Sequence, residues 1–217
     1  TNAVSHELRS PISRLRFQLE MLQSTDAPSS RQTYEQGMSE DLNDMDALIH
    51  ELLNYATLES QDPITHWENV ELSHWLKAQQ QHLYAEITNT IVLDLPPNEI
   101  HVSLDPLLMA RLLRNLVDNA DKYTKDTIII GATTTAEECA IWVDDNGVGV
   151  SLEDELLVFE PFSRLDSSRS KSTGGYGIGL AIVAQIARHH HGNIAVHRNQ
   201  FGGARFIVSW PQKVNNE

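Results

Sequence analysis

Apolar residues near the start of the chain recur at intervals of three and four positions, which predicts one face of an amphipathic helix. These residues are Val4, Leu8, Ile12, Leu15, Leu19 and Leu22. After a turn at 24–30, a heptad seam predicts a second helix. Its members are Met38, Leu42, Met45, Ile49, Leu52 and Ala56. The matching stripes and the short link predict an antiparallel helical hairpin. Because one helix covers only part of the other's stripe, we expect two copies to pair as a homodimeric four-helix bundle.

The pattern changes after this hairpin. A proline-containing segment at 61–67 predicts a linker between a first domain at 1–60 and a second at 68–217. Short apolar runs then predict strands at 90–95, 100–104, 127–134, 139–145, 193–198 and 204–210. Helices are predicted at 74–87 with Ser73 as N-cap, at 107–123 after Asp105 and Pro106, and at 177–191 ending at Gly192. The irregular order predicts an α/β sandwich, a mixed sheet with helices on one face.

Charge and cysteine content narrow the class of protein. The chain has 217 residues, of which 30 are acidic and 16 basic, giving a net charge of -14. This acidic excess predicts no nucleic-acid partner, and any bound phosphate has to be held locally. The single cysteine, Cys139, permits no internal disulfide and fits a reducing compartment. Its apolar neighbours predict a core thiol.

The chain also carries no membrane-spanning signal of its own. No run approaches the roughly 18 to 20 apolar residues that cross a bilayer. The sequence begins at Thr1, already inside a predicted helix, so we expect a fragment of a longer protein.

Three motifs in the second domain suggest a nucleotide site. The first, "RNLVDNADKYT" at 114–124, puts Asn115, Asn119 and Lys122 on one helix face. Amide oxygens suit a hydrated Mg²⁺ ion and an ammonium suits phosphate. The alternative is that these asparagines are merely solvated.

The second motif, "DDNGVGV" at 144–150, follows an apolar strand. Asp145 can accept a hydrogen bond from an exocyclic amine such as that of adenine, and Gly147 and Gly149 leave room for a flat ring. A strand that simply ends in a glycine turn is the alternative.

The third motif, "TGGYGIGLAIV" at 173–183, places four glycines before a helix, where backbone amides form a natural anion site. A plain hinge is the alternative. The preceding segment 159–173 has an aromatic base at Phe159 and Phe162 and then turns polar and cationic, which predicts a mobile lid. A disordered loop with incidental charges is the alternative here.

Taken in order, these motifs resemble the sensor histidine kinases of two-component signalling. "SHELRSP" resembles the H box, "NLVDNADKY" the N box, "DDNGVG" the G1 box, "FEPF" the F box and "GGYGIGLAIV" the G2 box. The lid sequence is most similar to the RstB and CpxA group of membrane sensors. The resemblance implies a dimerisation and histidine phosphotransfer domain followed by a Bergerat-type ATP-binding domain, hence an α plus α/β fold. It further implies the cytoplasmic part of a protein anchored in a bacterial inner membrane.

The resemblance also assigns roles in binding ATP and Mg²⁺. Asn115 and Asn119 would hold the metal ion and phosphate, Lys122 and Tyr123 would line the site, and Asp145 would recognise adenine. The remaining expected nucleotide-site residues are Gly147, Gly149, Arg164, Gly174, Gly175, Gly177, Gly179 and Leu180. Among these, Arg164 is the lid cation expected to contact the triphosphate.

The H box supplies the expected phosphate acceptor. At about 100° per residue, His6 points away from the apolar stripe of its helix, although by itself it resembles an ordinary surface histidine. A neutral imidazole is a competent nucleophile, Glu7 can act as its base, and Pro11 removes one helical hydrogen bond nearby.

The family implies transfer from His6 to an aspartate of a response regulator. It also implies a phosphatase hydroxyl four residues after the histidine, here Ser10 where threonine is usual. Phe17, on the same face, could dock a partner, although an exposed phenylalanine is more often incidental than functional.

Two rival functions remain open. Gyrase, chaperone and mismatch-repair ATPases share the nucleotide fold but place a catalytic acid one helical turn before the first N-box asparagine, where this chain has Arg111. The other alternative is a dimeric scaffold that binds ATP without transfer. The run "RHHHG" at 188–192 predicts a favourable positive helix end rather than a metal site.

Overall fold

The computed structural model describes residues 2–60, 66–84, 87–163 and 175–212. The chain divides into two compact units, Thr1–Thr57 and Leu58–Glu217. In the part of the chain described, no helix is both long enough and apolar enough to span a membrane.

The first unit consists of helix α1 (Asn2–Ser24) and most of helix α2 (Pro28–Ser60), whose last residues, from Leu58, belong to the second unit. They run antiparallel, because Arg14 of α1 pairs with Asp41 of α2 and, further along α1, the Leu22 carbonyl accepts a hydrogen bond from Arg31. The predicted hairpin is therefore confirmed. Its link covers only residues 25–27 and is shorter than predicted. Helix α1 continues through Pro11, the residue at which one backbone hydrogen bond is lost.

The heptad seam of α2 does not form one buried stripe. Leu42 and Ile49 are 53% and 42% exposed, while Asp41 and Leu48 are buried in their place. On α1, Ile12 and Leu19 are also exposed. A single copy of the hairpin thus leaves an apolar stripe open to water. We call these residues the open stripe, and it consists of Ile12, Leu19, Leu42, Ile49 and Leu53.

The second unit contains a five-stranded mixed sheet in the order β2, β4, β5, β7, β6. The strands are β2 (Thr90–Asp94), β4 (Thr127–Thr134), β5 (Glu138–Asp145), β6 (Asn193–Arg198) and β7 (Ala204–Pro211). Strands β2 and β4 are parallel and the other pairs antiparallel. A separate antiparallel pair joins β1 (Glu68–Glu71) to β3 (His101–Leu104).

Three helices complete this unit: α3 (Leu72–Leu83), α4 (Pro106–Tyr123) and α5 (Gly179–His189). A short 3₁₀ helix, Leu157–Phe159, precedes the predicted lid. Every second residue of β7, from Ala204 to Trp210, is buried, as are Leu112, Leu116 and Ile182 of the helices. Alternate burial along a strand means that one face of the sheet is covered. The predicted α/β sandwich with a mixed sheet is confirmed, and Cys139 is a buried free thiol.

Three local predictions about helix ends are wrong. Ser73 does not cap α3, because the Glu71 carboxylate accepts hydrogen bonds from the Ser73 and His74 amides and is the N-cap. That helix ends at Leu83 rather than at residue 87. The last helix also ends early, at His189, and His191 takes the positive φ (55°) with which a helix commonly terminates.

Candidate nucleotide site

Helix α4 presents the predicted polar stripe on the side opposite its buried face. Its start is fixed by Asp105, whose Oδ1 accepts hydrogen bonds of 3.0 Å from the Leu107 and Leu108 amides, and by Pro106 in the first turn. Asn115 and Asn119 are half-buried, and Lys122 and Tyr123 are exposed. The aliphatic face of α4 is packed against the core, so these four polar side chains are held at the surface of the second unit.

The amide of Asn115 is oriented by its own helix. Its Nδ2 donates to the Arg111 carbonyl oxygen at 2.8 Å. The amide oxygen therefore faces the start of α5, where a Cβ added to Gly179 would lie 2.9 Å from it. A carbonyl oxygen held beside a helix N-terminus suits Mg²⁺ and the phosphate that accompanies it. The residues present thus fit a magnesium-bound triphosphate.

Asp145 ends β5 as a buried carboxylate. Its Oδ1 accepts backbone hydrogen bonds from Gly147 at 2.8 Å and from Ala204 at 3.2 Å. Among the described residues its Oδ2 has no hydrogen-bond donor, which leaves an acceptor for an amine. Burial raises the pKa of this carboxyl, the two amide hydrogen bonds oppose that rise, and the neighbouring Asp144 charge adds to it.

The G1 glycines serve close backbone contacts. A Cβ at Gly147 would lie 2.3 Å from the Tyr123 carbonyl oxygen, so this turn packs onto the end of α4. Gly149 has a φ of 74°, and a Cβ there would lie 3.1 Å from the Gly202 carbonyl oxygen. These close contacts account for glycine at both positions. That both glycines also leave room for a flat ring stays a prediction.

A backbone hydrogen bond joins the predicted lid segment to the residues that follow it. The Phe162 amide donates to the Gly177 carbonyl oxygen at 2.9 Å, and both residues have positive φ. Gly175, with φ of 120°, lies beside Lys122, since a Cβ there would be 2.9 Å from Nζ. Leu180 is half-buried in the first turn of α5. Arg164 and Gly174 lie outside the described residues.

The aromatic base of this segment is partly anchored, as predicted. The ring of Phe159 packs edge-on against Phe206 of β7, with centroids 6.3 Å apart. Phe206 belongs to the buried core, so the base of the predicted lid is attached to the sheet.

The structure thus brings together the α4 stripe, Asp145 and the glycines from 175 to 179. The H-box residues lie in the other unit, on α1. There Glu7 is half-buried, Ser10 is exposed and Phe17 is 59% exposed. The His6 side chain lies outside the described part of the chain.

Two asparagines that the sequence analysis did not identify, Asn146 and Asn199, stabilise the backbone around the candidate nucleotide site. Asn146 Oδ1 is within hydrogen-bond distance of the Thr124 hydroxyl (2.6 Å) and the Lys125 amide (2.9 Å), which joins β5 to the end of α4. Asn199 Nδ2 donates to the Asp145 carbonyl oxygen at 2.7 Å, and its Oδ1 accepts from the Gly203 amide. Asparagine next to glycine-rich turns was the available signal.

The histidine run has separate structural partners. His190 is buried, with Nδ1 2.9 Å from the Ile186 carbonyl oxygen and Nε2 accepting from the Asp105 amide at 3.1 Å. Burial lowers the pKa of His190, so the ring is neutral. His189 Nε2 lies 2.9 Å from the Leu58 carbonyl oxygen instead. Among the described residues no group of three or more His, Cys, Asp or Glu side chains is placed to hold a metal ion.

Two family models match the chain. One, described as "Histidine kinase-, DNA gyrase B-, and HSP90-like ATPase", matches residues 104–214. The other, described as "His Kinase A (phospho-acceptor) domain", matches residues 1–61. The two matches follow each other along the chain in the order in which the H box and the N, G1, F and G2 boxes occur.

Curated relatives agree with this match. Sensor protein RstB of Escherichia coli K12 is 36% identical over 211 residues, covering 97% of this chain and 48% of RstB. Sensor histidine kinase CpxA of the same organism is 28% identical over 219 residues, covering 96% of this chain and 45% of CpxA. The chain therefore spans about half the length of the curated relatives it matches.

Solved structures support the same fold. Histidine kinase ThkA in complex with response regulator protein TrrA aligns with a TM-score of 0.77 at 21% identity, covering 99% of this chain and 61% of that one. Full-length ShkA in complex with AMPPNP aligns with a TM-score of 0.70 at 21% identity, covering 97% and 45%. The resemblance first seen in five sequence boxes is confirmed, and the chain belongs to the sensor histidine kinases of two-component signalling.

Proposed function

We propose that this chain binds ATP with Mg²⁺, transfers the γ-phosphoryl group to His6, and passes it to an aspartate of a response regulator. The observation that carries the proposal is the convergence of the Asn115 amide oxygen, Lys122, the glycines before α5 and the free oxygen of Asp145 on one surface. An oriented carbonyl, a cation, a helix N-terminus and a buried carboxylate are what a magnesium nucleotide requires.

The nucleotide lies along α4. The adenine amine donates to Asp145 Oδ2, close to the helix end where Gly147 meets Tyr123. The phosphates run toward the helix start, past Lys122 and then Asn115. Asn115 and Asn119 would hold Mg²⁺, which would neutralise charge on the triphosphate. From the family pattern, Arg164 and Gly174 belong to the loop that closes over it.

The acceptor chemistry belongs to the first unit. His6 attacks through a neutral ring nitrogen, and Glu7, the next residue, takes the proton from the other nitrogen. Pro11 leaves the Glu7 carbonyl without its helical donor, which softens the turn that holds the histidine. Transfer requires alignment of the triphosphate with His6, so we expect the predicted domains at 1–60 and 68–217 to reorient during the reaction. Residues 61–65 of the predicted linker lie outside the described part of the chain.

We also propose that the chain works as a homodimer and as a phosphatase of its regulator. The open stripe on α1 and α2 is an apolar surface that a second hairpin would cover in a four-helix bundle. Ser10 retains the hydroxyl that positions a water molecule but lacks the methyl group that restricts a threonine rotamer. From the family pattern we propose that the whole protein is anchored in a bacterial inner membrane, with this part in the cytoplasm.

Incubation with γ-labelled ATP tests the kinase proposal. Acid-labile, base-stable label that is absent from a His6→Gln variant supports it. Release of free phosphate by both proteins would instead indicate an ATPase, and nucleotide binding with neither product would indicate a scaffold.

A further inference from the structure

Arg111 is a half-buried cation for which sequence and family provide no role. Its Nη2 atom is inaccessible to solvent and has no hydrogen-bond partner in the described structure. Burial lowers the pKa of this guanidinium, as expected for a cation withdrawn from water without an anion beside it. A buried donor without an acceptor is costly to a folded protein. Such a group therefore needs an explanation beyond packing.

The helix geometry places Arg111 in line with the proposed nucleotide surface. At about 100° per residue, Arg111 lies about 40° from Asn115 and about 20° from Lys122 around the α4 axis. All three project from the side opposite the buried leucines of this helix. The Arg111 carbonyl also accepts the hydrogen bond that orients the Asn115 amide. The residue thus adjoins the group proposed to hold the metal ion.

The position of Arg111 along the α4 axis identifies the part of a bound nucleotide that its guanidinium would contact. Contacts with α4 run in order from Gly147 at Tyr123, through Gly175 at Lys122, to Gly179 at Asn115. Arg111 follows one turn later, about 6 Å beyond Asn115 along the helix axis. Long helical side chains lean toward the helix N-terminus, which carries the guanidinium further in the same direction. A triphosphate whose adenine is at Asp145 reaches Arg111 with its last phosphoryl group.

We propose that Arg111 is a catalytic residue that binds the terminal phosphoryl oxygens of ATP and stabilises their charge during transfer. This inference rests on the nucleotide placement proposed above. In the transfer step the bond between phosphorus and a His6 ring nitrogen forms while the bond to the bridging oxygen breaks, and ADP leaves with the electron pair. Arg111 donates hydrogen bonds throughout and exchanges no proton. ADP, which lacks the terminal group, does not engage it.

The test compares Arg111→Gln and Arg111→Lys with the wild-type chain. We expect Arg111→Gln to lower the autophosphorylation rate at saturating ATP by about 100-fold or more, the scale of losing one preorganised transition-state donor. ADP affinity should remain within about twofold, because ADP lacks the phosphoryl group that Arg111 contacts. A twofold change corresponds to well under 1 kcal/mol of binding free energy. Arg111→Lys keeps the charge without the planar fork and should recover part of the rate.

Thermal unfolding without nucleotide separates this role from a structural one. Replacing a half-buried cation whose Nη2 atom has no partner among the described residues with a neutral group should leave the melting temperature unchanged or raise it. A lower melting temperature together with an unchanged rate per folded molecule would overturn the proposal. Equal losses of ATP and ADP affinity would also overturn it. Arg114→Gln is the matched control, because Arg114 is on the same helix and pairs at the surface with Asp118 at 3.6 Å.

Asp145→Asn distinguishes failure of this inference from failure of the nucleotide placement. If Asp145→Asn abolishes nucleotide binding and Arg111→Gln changes nothing, only the role of Arg111 is refuted. If neither substitution affects ATP or ADP, the placement itself is wrong and both proposals fail.

Discussion

Substituting alanine for Gly179 tests how closely the start of α5 must approach Asn115. The added Cβ would lie 2.9 Å from the Asn115 amide oxygen, inside ordinary van der Waals contact. The oxygen must move by a few tenths of an ångström, away from the position proposed for Mg²⁺ and phosphate. Losing one hydrogen bond or ligand contact to a charged group costs about 1.5–3 kcal/mol. We therefore expect about a 10- to 100-fold loss of affinity for magnesium ATP.

The folded state should be little affected by the same change. Alanine is favoured over glycine within a helix by up to about 1 kcal/mol, which offsets the crowding. Gly202→Ala is the opposite case: its φ is 85° but a Cβ there meets nothing within 4 Å. It should lower stability by about 1–2 kcal/mol, or about 2–4 °C in melting temperature per kcal/mol, without altering affinity.

Isothermal titration with ATP and magnesium, together with thermal unfolding, measures both effects. Wild-type affinity in Gly179→Ala would refute the assignment of the Asn115 oxygen to the nucleotide. A fall in melting temperature comparable to that of Gly202→Ala would show that the glycine is needed for folding instead.

Four further outcomes are expected. Asp145→Asn should lower the affinity for adenine nucleotides at least about 10-fold, since an amine donor loses a carboxylate acceptor; titration with ATP measures it. The His190 pKa is lowered by burial, so the unfolded chain binds more protons, and its contribution to stability is full above about pH 6.5 and declines as pH falls. Urea unfolding between pH 7.5 and 5.5 should show this slope and His190→Gln should lack it. Glutamate at both Leu42 and Ile49 should convert dimer to monomer in sedimentation experiments. Ser10→Ala should slow dephosphorylation of the cognate regulator.

Controls for these outcomes come from neighbouring exposed positions. Asn43→Glu adds a charge beside the open stripe and should leave the dimer intact, so dissociation by this variant as well would contradict the proposed interface. His197→Gln is exposed on β6 and should retain the pH slope. Equal dephosphorylation rates for wild type and Ser10→Ala would remove Ser10 from the mechanism.

Local pattern predicted most of the second unit, because many of its elements carry their own signals. The runs at 127–134 and 193–198 coincide with β4 and β6, and Asp105 followed by Pro106 marks the start of α4. Strand β1 was missed because "ENVE" has one apolar residue and its hydrogen-bond partners lie about thirty positions later, on β3. Such pairing is a tertiary effect that local propensity does not report.

Part of the candidate site is likewise predicted by local sequence, and part depends on tertiary contacts. Asn115, Asn119 and Lys122 share a face that helical periodicity alone predicts. The hydrogen bond from Asn115 to the Arg111 carbonyl oxygen is visible only in three dimensions, and so is the Arg111 Nη2 atom, which has no partner among the described residues. In the hairpin, the seam predicted for α2 spreads over two faces, since a heptad repeat specifies spacing but not which of several helices covers each position.

The hydrogen bond between Phe162 and Gly177 joins the backbone on either side of residues 164–174. These two residues therefore act as anchors for the segment between them. We expect both anchors to keep their positions when residues are added between them, because each doubling of a connecting segment costs only about 0.6 kcal/mol of closure entropy. Insertions, deletions and new charges between these anchors therefore leave the sheet and α5 intact. The length and charge of this segment can therefore vary without a change in the core of the second unit.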